Sequence, residues 1–162
     1  MITFREERPG DEAAVDALTA AAFGRREEAD LVAALRRAGD TVLSLVALDG
    51  TAIVGNATFS RLRVEPAGLK ASALAPLSVA PGAQKAGIGS ALVRQGLDRL
   101  REAGEDVVLV LGDPDWYGRF GFSAGAARSF ATPWDGAHQQ ALWLAEAGRF
   151  RVRYAPAFDA LA

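Results

Sequence analysis

The stretch Ala75-Pro-Leu-Ser-Val79, then Ala80, then Pro81-Gly-Ala-Gln-Lys-Ala-Gly-Ile-Gly-Ser-Ala-Leu92 decides how the rest of the sequence is read. An apolar run enters a loop, and the loop turns into a helix through two glycines, Gly87 and Gly89. Glycine has no β-carbon, so a ligand can approach the main chain closely there. The first N–H groups of a helix lack internal acceptors and sit at the positive end of its dipole, an anion site suited to a pyrophosphate. The same two glycines also suit close packing of a helix on a sheet. Two other phosphate loops are excluded. A Walker loop needs Gly-x4-Gly-Lys-Ser/Thr, which is absent. A dinucleotide fingerprint needs a third glycine where this chain has Leu92, and a tighter turn than Ala80–Ala86.

Upstream, Ile2–Glu6 alternates apolar and polar residues and predicts a strand. Pro9-Gly10-Asp11 breaks the chain, with Asp11 as the expected cap of a helix that presents Val15, Leu18 and Ala22 on one face and ends at Phe23-Gly24. A second helix is expected over Glu27–Ala38, with Leu31, Val32 and Leu35 inward and Gly39 as its stop. Strands Val42–Leu48 and Ala52–Leu62 are joined by Asp49-Gly50, a strong hairpin signal. After the Glu65–Gly68 turn, Lys70–Val79 forms a third strand of this group, in which Pro76 predicts a bulge or an interrupted ladder.

Downstream, Ile88, Leu92, Gly96/Leu97 and Leu100 recur at helical spacing, so a helix runs from about Gly87 to Ala103 and closes at Gly104. Val107–Leu111 is a continuous apolar run, the mark of a strand buried on both faces. Pro114–Phe120 suggests a short helical turn, and Gln140–Ala145 and Phe150–Tyr154 are weaker strand signals. Interleaved helices and strands place the chain in the mixed α/β (α+β) class, around one mainly antiparallel sheet flanked by helices.

Composition narrows the function. The 162 residues suggest a single domain over 1–162, since domains average roughly 150 residues. A net charge of −2 argues against a dedicated nucleic-acid partner. No run approaches the ~18 apolar residues of a membrane span. Met1 to Gly10 carries four charged side chains, unlike a signal peptide. The absence of cysteine and a single histidine, His138, speak against a disulfide framework, a cysteine nucleophile and a metal site. The cytoplasm is the expected compartment.

The loop then becomes specific. Gln84-Lys85-Ala86-Gly87-Ile88-Gly89 matches the Gln/Arg-x-x-Gly-x-Gly/Ala signature of the GNAT superfamily of acyl-CoA-dependent N-acyltransferases, between an apolar strand and a long amphipathic helix. About 30 residues on, Tyr117-Gly-Arg-Phe-Gly-Phe122 resembles that family's Tyr-x-x-x-Gly-Phe element. The resemblance covers at least residues 1–123, and the whole chain, including Leu111-Gly-Asp-Pro-Asp-Trp-Tyr-Gly-Arg-Phe-Gly-Phe122, is similar to the small stand-alone bacterial N-acetyltransferases.

The resemblance implies a GNAT-like fold and direct acetyl transfer from acetyl-CoA to the amine of a small molecule or protein. It implies that the backbone of Leu77 and Val79 binds the pantetheine arm. The pyrophosphate then falls to Gln84, Lys85, Ala86, Gly87, Ile88, Gly89 and Ser90. Lys85 is equally well read as a solvated surface lysine. By the same resemblance Val79 N–H is the donor to the thioester oxygen, and Tyr117 is the acid facing the sulfur. Tyr117 also reads as a packed aromatic beside Phe120 and Phe122. Between Val110 and Tyr117 the family's usual asparagine is missing; Asp113 stands in for it or caps a short helix.

The strand Lys70–Val79 holds no carboxylate, which leaves Glu28, with Glu27, as the candidate general base; both also suit a helix start. Asn56 and Ser60 are polar positions open to either a substrate or a structural role, and His138 reads as an exposed loop residue. Arg25, Arg26, Arg36 and Arg37 form a cluster that either attracts an acidic acceptor or is a solvated face. Trp116, Trp134 and Trp143 belong to an apolar acceptor pocket or to the core. A non-catalytic CoA-binding regulatory module on the same fold is the alternative function. Pairing of two copies through Phe150, Val152, Tyr154 and Phe158 is compatible with the sequence.

Overall fold

Two hairpins and one crossover build the sheet. The computed structural model describes residues 1–66, 68–144 and 156. Strand β1 (Ile2–Glu6) is followed by helices α1 (Glu12–Phe23) and α2 (Glu27–Ala38), then β2 (Thr41–Asp49), β3 (Ala52–Leu62) and β4 (Ala71–Val79). Helix α3 (Ile88–Glu102) crosses to β5 (Val107–Leu111); α4 (Pro114–Gly118), α5 (Ala124–Ala127) and β6 (Gln139–Trp143) complete the described part. The six strands lie in sequence order, antiparallel except for the parallel β4–β5 pair. The expected class and mainly antiparallel sheet are therefore observed. The predicted strand Phe150–Tyr154, and the pairing surface built on it, lie outside the described residues.

Side-chain alternation along β2 assigns the layers. Leu43, Leu45 and Ala47 join Leu92, Val93, Leu97 and Leu100 of α3 in one core, while Val46 and Leu48 pack with Val15 of α1 and Val32 of α2 on the opposite face. Helix α3 lies close to the sheet because Gly96 meets the ring of buried Phe59. Buried Asn56 is also structural: its amide donates to Ser44 Oγ (2.9 Å) and Leu45 O (2.8 Å), and Thr58 Oγ1 donates to its oxygen (3.0 Å).

One end of the sheet is clamped. Arg61 at the end of β3 donates to both oxygens of buried Glu105 (2.7 and 3.0 Å) and to Ala71 O (3.1 Å). The Asp106 carboxylate accepts from Lys70 N, and Asp106 N donates to Lys70 O, both at 2.8 Å. The other end is open. Pairing of β4 with β5 stops at Leu74↔Val110, although β4 continues to Val79. Opposite this point the β3–β4 register shifts between Ala57↔Leu77 and Phe59↔Leu74, the interruption that Pro76 predicts.

Three local expectations change. Asp11 sits at the N-cap of α1, but its carboxylate accepts from Arg8 N (2.7 Å) and Arg5 (2.6 Å) instead of from the helix. Leu31 does not face the core; it is 43% exposed, while Ala29 and Val32 are the buried residues of α2 and Val32 packs on Val46 and Leu48 of the sheet. Leu111 emerges at 47% exposure, so only the first four residues of β5 are buried.

Replacing Gly96 with Ala places a β-carbon 2.6 Å from the ring of fully buried Phe59, so one of the two must shift within the core. Overpacking of this kind costs about 1–3 kcal/mol, more than the roughly 1 kcal/mol that alanine gains in a helix. Urea denaturation of Gly96→Ala is expected to show a net loss of stability with an unchanged m-value.

Candidate active site

The parting of β4 and β5 sets the site. Ser78 lies opposite Asn56, and Ala80 N donates to Val54 O (2.8 Å), so by alternation the N–H and C=O groups of Leu77 and Val79 point away from β3 into the opening. Gln84 Nε2 reaches back to Val79 O at 3.2 Å. The loop then passes through two left-handed residues, Lys85 (φ 67°) and Gly87 (φ 79°). This sets the axis of α3 so that the N–H groups of Ile88, Gly89 and Ser90, which have no intrahelical acceptors, crown the opening.

A first cleft of about 420 Å³ lies over this helix end. Leu77, Val79, Gln84, Lys85, Gly87, Ile88, Gly89 and Ser90 all line it, and of the residues expected there only exposed Ala86 does not. A β-carbon on Gly89 would project into it, 3.7 Å from both Val79 and Trp116. Trp116, read as a pocket or core residue, lines this cleft from the single turn α4, and Arg119 at the C-cap of that turn is a lining residue that sequence reasoning missed. Arg119 donates to Ser90 Oγ (2.6 Å), and its guanidinium carbon lies 5.3 Å from the Trp116 ring centroid and 5.4 Å from that of Phe120. The i, i+3 spacing of Trp116 and Arg119 was the available signal. Their approach to α3 is a tertiary contact.

A second cleft of about 660 Å³ adjoins the first, with Leu77 and Trp116 bordering both. Tyr117 and Glu28 line it together, along with Arg25, Pro76 and Leu111. Tyr117 packs edge-on against Trp116 (4.8 Å between centroids) and Phe122 (5.9 Å), and burial pushes its phenol above the usual tyrosine range. It therefore carries its proton at neutral pH. Glu28 is held by Arg25 through three hydrogen bonds (2.7, 2.8 and 3.2 Å), which lower its carboxyl below the usual range. Glu27, by contrast, is largely exposed and meets Arg25 at 3.0 Å.

The remaining candidates separate by position. Asp113 Oδ1 accepts from Asp115 N (2.9 Å) and so caps α4. His138 is exposed, with Nδ1 3.1 Å from Gly112 O. Trp134 is exposed, and Trp143 packs on Phe130. Asn56 is enclosed within its own network. Arg25, Arg26 and Arg36 are paired with Glu28, Asp16 and Glu7 respectively, so the arginine cluster is largely neutralised.

Sequence comparison identifies the class. A family profile described as an acetyltransferase (GNAT) domain matches residues 3–125. The chain belongs to the GNAT acetyltransferase family and is an enzyme of the N-acetyltransferase class. It is 38% identical over 133 residues to the N-acetyltransferase YhbS of Escherichia coli strain K12, spanning 82% of this chain and 80% of that protein. The crystal structure of Escherichia coli YhbS in complex with CoA superposes with a TM-score of 0.84 at 37% identity, over 89% of this chain and 82% of that one. A GNAT family acetyltransferase from Brucella melitensis, solved with acetyl-CoA, gives 0.78 at 34% identity over 98% and 99% of the two chains. Among the described residues no helix is long and apolar enough to cross a membrane.

Two measurements address Tyr117. Its raised pKa means that its contribution to stability is present below the unfolded value near 10 and is lost as pH rises beyond it. The difference in phenolate absorbance between wild type and Tyr117→Phe is accordingly expected to titrate above about pH 10; a midpoint below that contradicts the buried phenol. At Gly112, an added β-carbon would fall well inside contact of Tyr117 Cε2 and 3.0 Å from Cδ2. The ring can yield into the open cleft, so Gly112→Ala is expected to fold. It should lower turnover by up to about 10²-fold, as displacing a reacting group by ~1 Å can do.

Proposed function

We propose that the protein transfers an acetyl group directly from acetyl-CoA to an amine while both are bound. The observation that supports this reading is the pair of clefts meeting across the splayed ends of β4 and β5. One is crowned by helix N–H groups and the other holds a protonated phenol. The solved relatives carrying CoA and acetyl-CoA support the same ligand here.

In this reading the outward backbone of Leu77 and Val79 pairs with the pantetheine arm as a further strand would. The segment Gln84 to Ser90, including Lys85, Ala86, Gly87, Ile88 and Gly89, receives the pyrophosphate on main-chain donors. Arg119, braced against Ser90 and stacked near Trp116, adds positive charge beside it. Val79 N–H is the donor toward the thioester oxygen.

The chemistry follows from proton positions. The acceptor enters as an ammonium and loses one proton through water to Glu28, whose ionised state Arg25 maintains. Its lone pair attacks the thioester carbonyl, forming the C–N bond. The C–S bond breaks as the tetrahedral carbon collapses, and the leaving thiolate takes the Tyr117 proton. The second proton of the amine nitrogen restores the phenol, so one proton in total passes to solvent. The cytoplasm and a single-domain organisation stay as the sequence reading has them.

Thermal unfolding with acetyl-CoA tests the reading. A ligand at 100 times its Kd adds about 2.7 kcal/mol, and Gly89→Glu, which projects a carboxylate into the first cleft, is expected to abolish the shift. Tyr117→Phe should keep the shift and lose about 10²–10⁴-fold in turnover, the usual worth of a positioned acid. A wild-type protein with no shift, or a Tyr117→Phe enzyme of full activity, contradicts the assignment.

A further inference from the structure

We infer that the acceptor is a protonated primary amine on an apolar body, an alkylamine or arylalkylamine lacking a carboxylate, bound in the cleft beside Tyr117. The inference rests on the acetyl-transfer reading and deepens it by naming the acceptor class.

The walls carry the first half of the argument. Among the described residues, five large apolar side chains are exposed: Met1, Phe23, Leu31, Leu111 and Trp134. Single exposed apolar residues are ordinary. Here Phe23 from the end of α1, Leu31 from α2 and Leu111 from the end of β5 are 41%, 43% and 47% exposed, and all three converge on one cleft. They face Pro76, Leu77 and the rings of Trp116 and Tyr117 across it. Leu31 and Leu111 are also the two residues that depart from their expected burial. Both departures point to this one place, which is how an apolar binding surface differs from scattered exposure.

Charge carries the second half. The ionic group on the cleft wall is the Arg25–Glu28 pair, and Glu27 meets the same guanidinium at 3.0 Å. Arg25 is occupied both by Glu28 on the wall and by exposed Glu27 just outside it, so the two carboxylates that meet this guanidinium outnumber it by one negative charge. The wall thus admits a cation and, among the described lining residues, offers an incoming carboxylate no free cationic partner. Glu28 and Leu31 are three residues apart on α2, so they share a helix face and present one acidic and one apolar contact side by side. A polyamine or a polyhydroxylated amine would have to bring further polar groups against Phe23, Leu31 and Leu111, where they lose water without gaining partners. The cleft volume of about 660 Å³ matches a small molecule.

The test compares free-thiol release from acetyl-CoA with hexylamine, phenethylamine, ethylamine, spermidine and glutamate. It is paired with calorimetric titration of hexylamine and ethylamine onto CoA-saturated protein. Each buried methylene is worth about fourfold, so hexylamine and phenethylamine are expected to exceed ethylamine by at least about tenfold in kcat/KM. Leu31→Lys replaces an exposed side chain outside the CoA cleft. It should remove at least about tenfold of that advantage without changing CoA affinity, while Leu31→Met should retain it. Preference for spermidine or glutamate overturns the inference. So does hexylamine that neither reacts nor binds better than ethylamine. Hexylamine that binds more tightly than ethylamine, weakens with Leu31→Lys and is never acetylated supports the apolar amine site and overturns the acetyl-transfer reading instead.

Discussion

Everything at this site depends on the place where β4 and β5 stop pairing. Parallel strands joined by a crossover helix put the helix N-terminus at the carboxyl end of the first strand, where ligands of α/β proteins bind. In this chain that end is also pried open. Pro76 has no N–H to give a ladder, the register against β3 shifts beside it, and pairing with β5 ends at Leu74↔Val110. The opposite end cannot follow. There Arg61, buried Glu105 and the Lys70–Asp106 backbone contacts tie β3, β4 and the start of β5 together. A sheet clamped at one end and parted at the other presents a strand edge, a helix terminus and a cleft wall at fixed mutual positions.

The opening divides into two regions of different chemistry. On the α3 side, main-chain donors and Arg119 make an environment for anions, with no particular side chain required at most positions. On the α1–α2 side, apolar side chains surround a single ion pair, Arg25 with Glu28, which Glu27 joins from outside the cleft. Trp116 and Leu77 form the shared border, and Tyr117 lies just beyond it. Gly112 is what allows this arrangement, since a side chain there would collide with the Tyr117 ring. The Gly112-Asp-Pro-Asp115 segment, a departure from the family's usual pattern, thus supplies both the space for the tyrosine and, through Asp113, the cap of the turn that carries it.

Sequence reasoning reached the loop before α3 and its free helix N–H groups because its signals are local. Glycines at a strand–helix turn, and a helix that starts just after them, state where free N–H groups will lie. The periodicity of α3 and the hairpin at Gly50 were legible for the same reason. The acceptor side was read less well. Helical periodicity put Leu31 inward because it is apolar, and β5 was taken as buried throughout for the same reason. Neither pattern contains the information that α2 begins beside an opening or that β4 runs on past its pairing with β5.

What the sequence determined by itself is the order of elements apart from α5, the sheet class, the glycine turn that starts α3 and the family that its two motifs share, since each depends on neighbours a few residues apart. What only the tertiary structure decided is which distant side chains meet. Arg119 reaches Ser90 across 29 residues, Glu28 faces the cleft of Tyr117 across 89, and the Arg25, Arg26 and Arg36 charges are cancelled by pairing. Those contacts come from the parting of two strands and the packing of two helix layers, which are properties of the assembled sheet and not of any single segment of the chain.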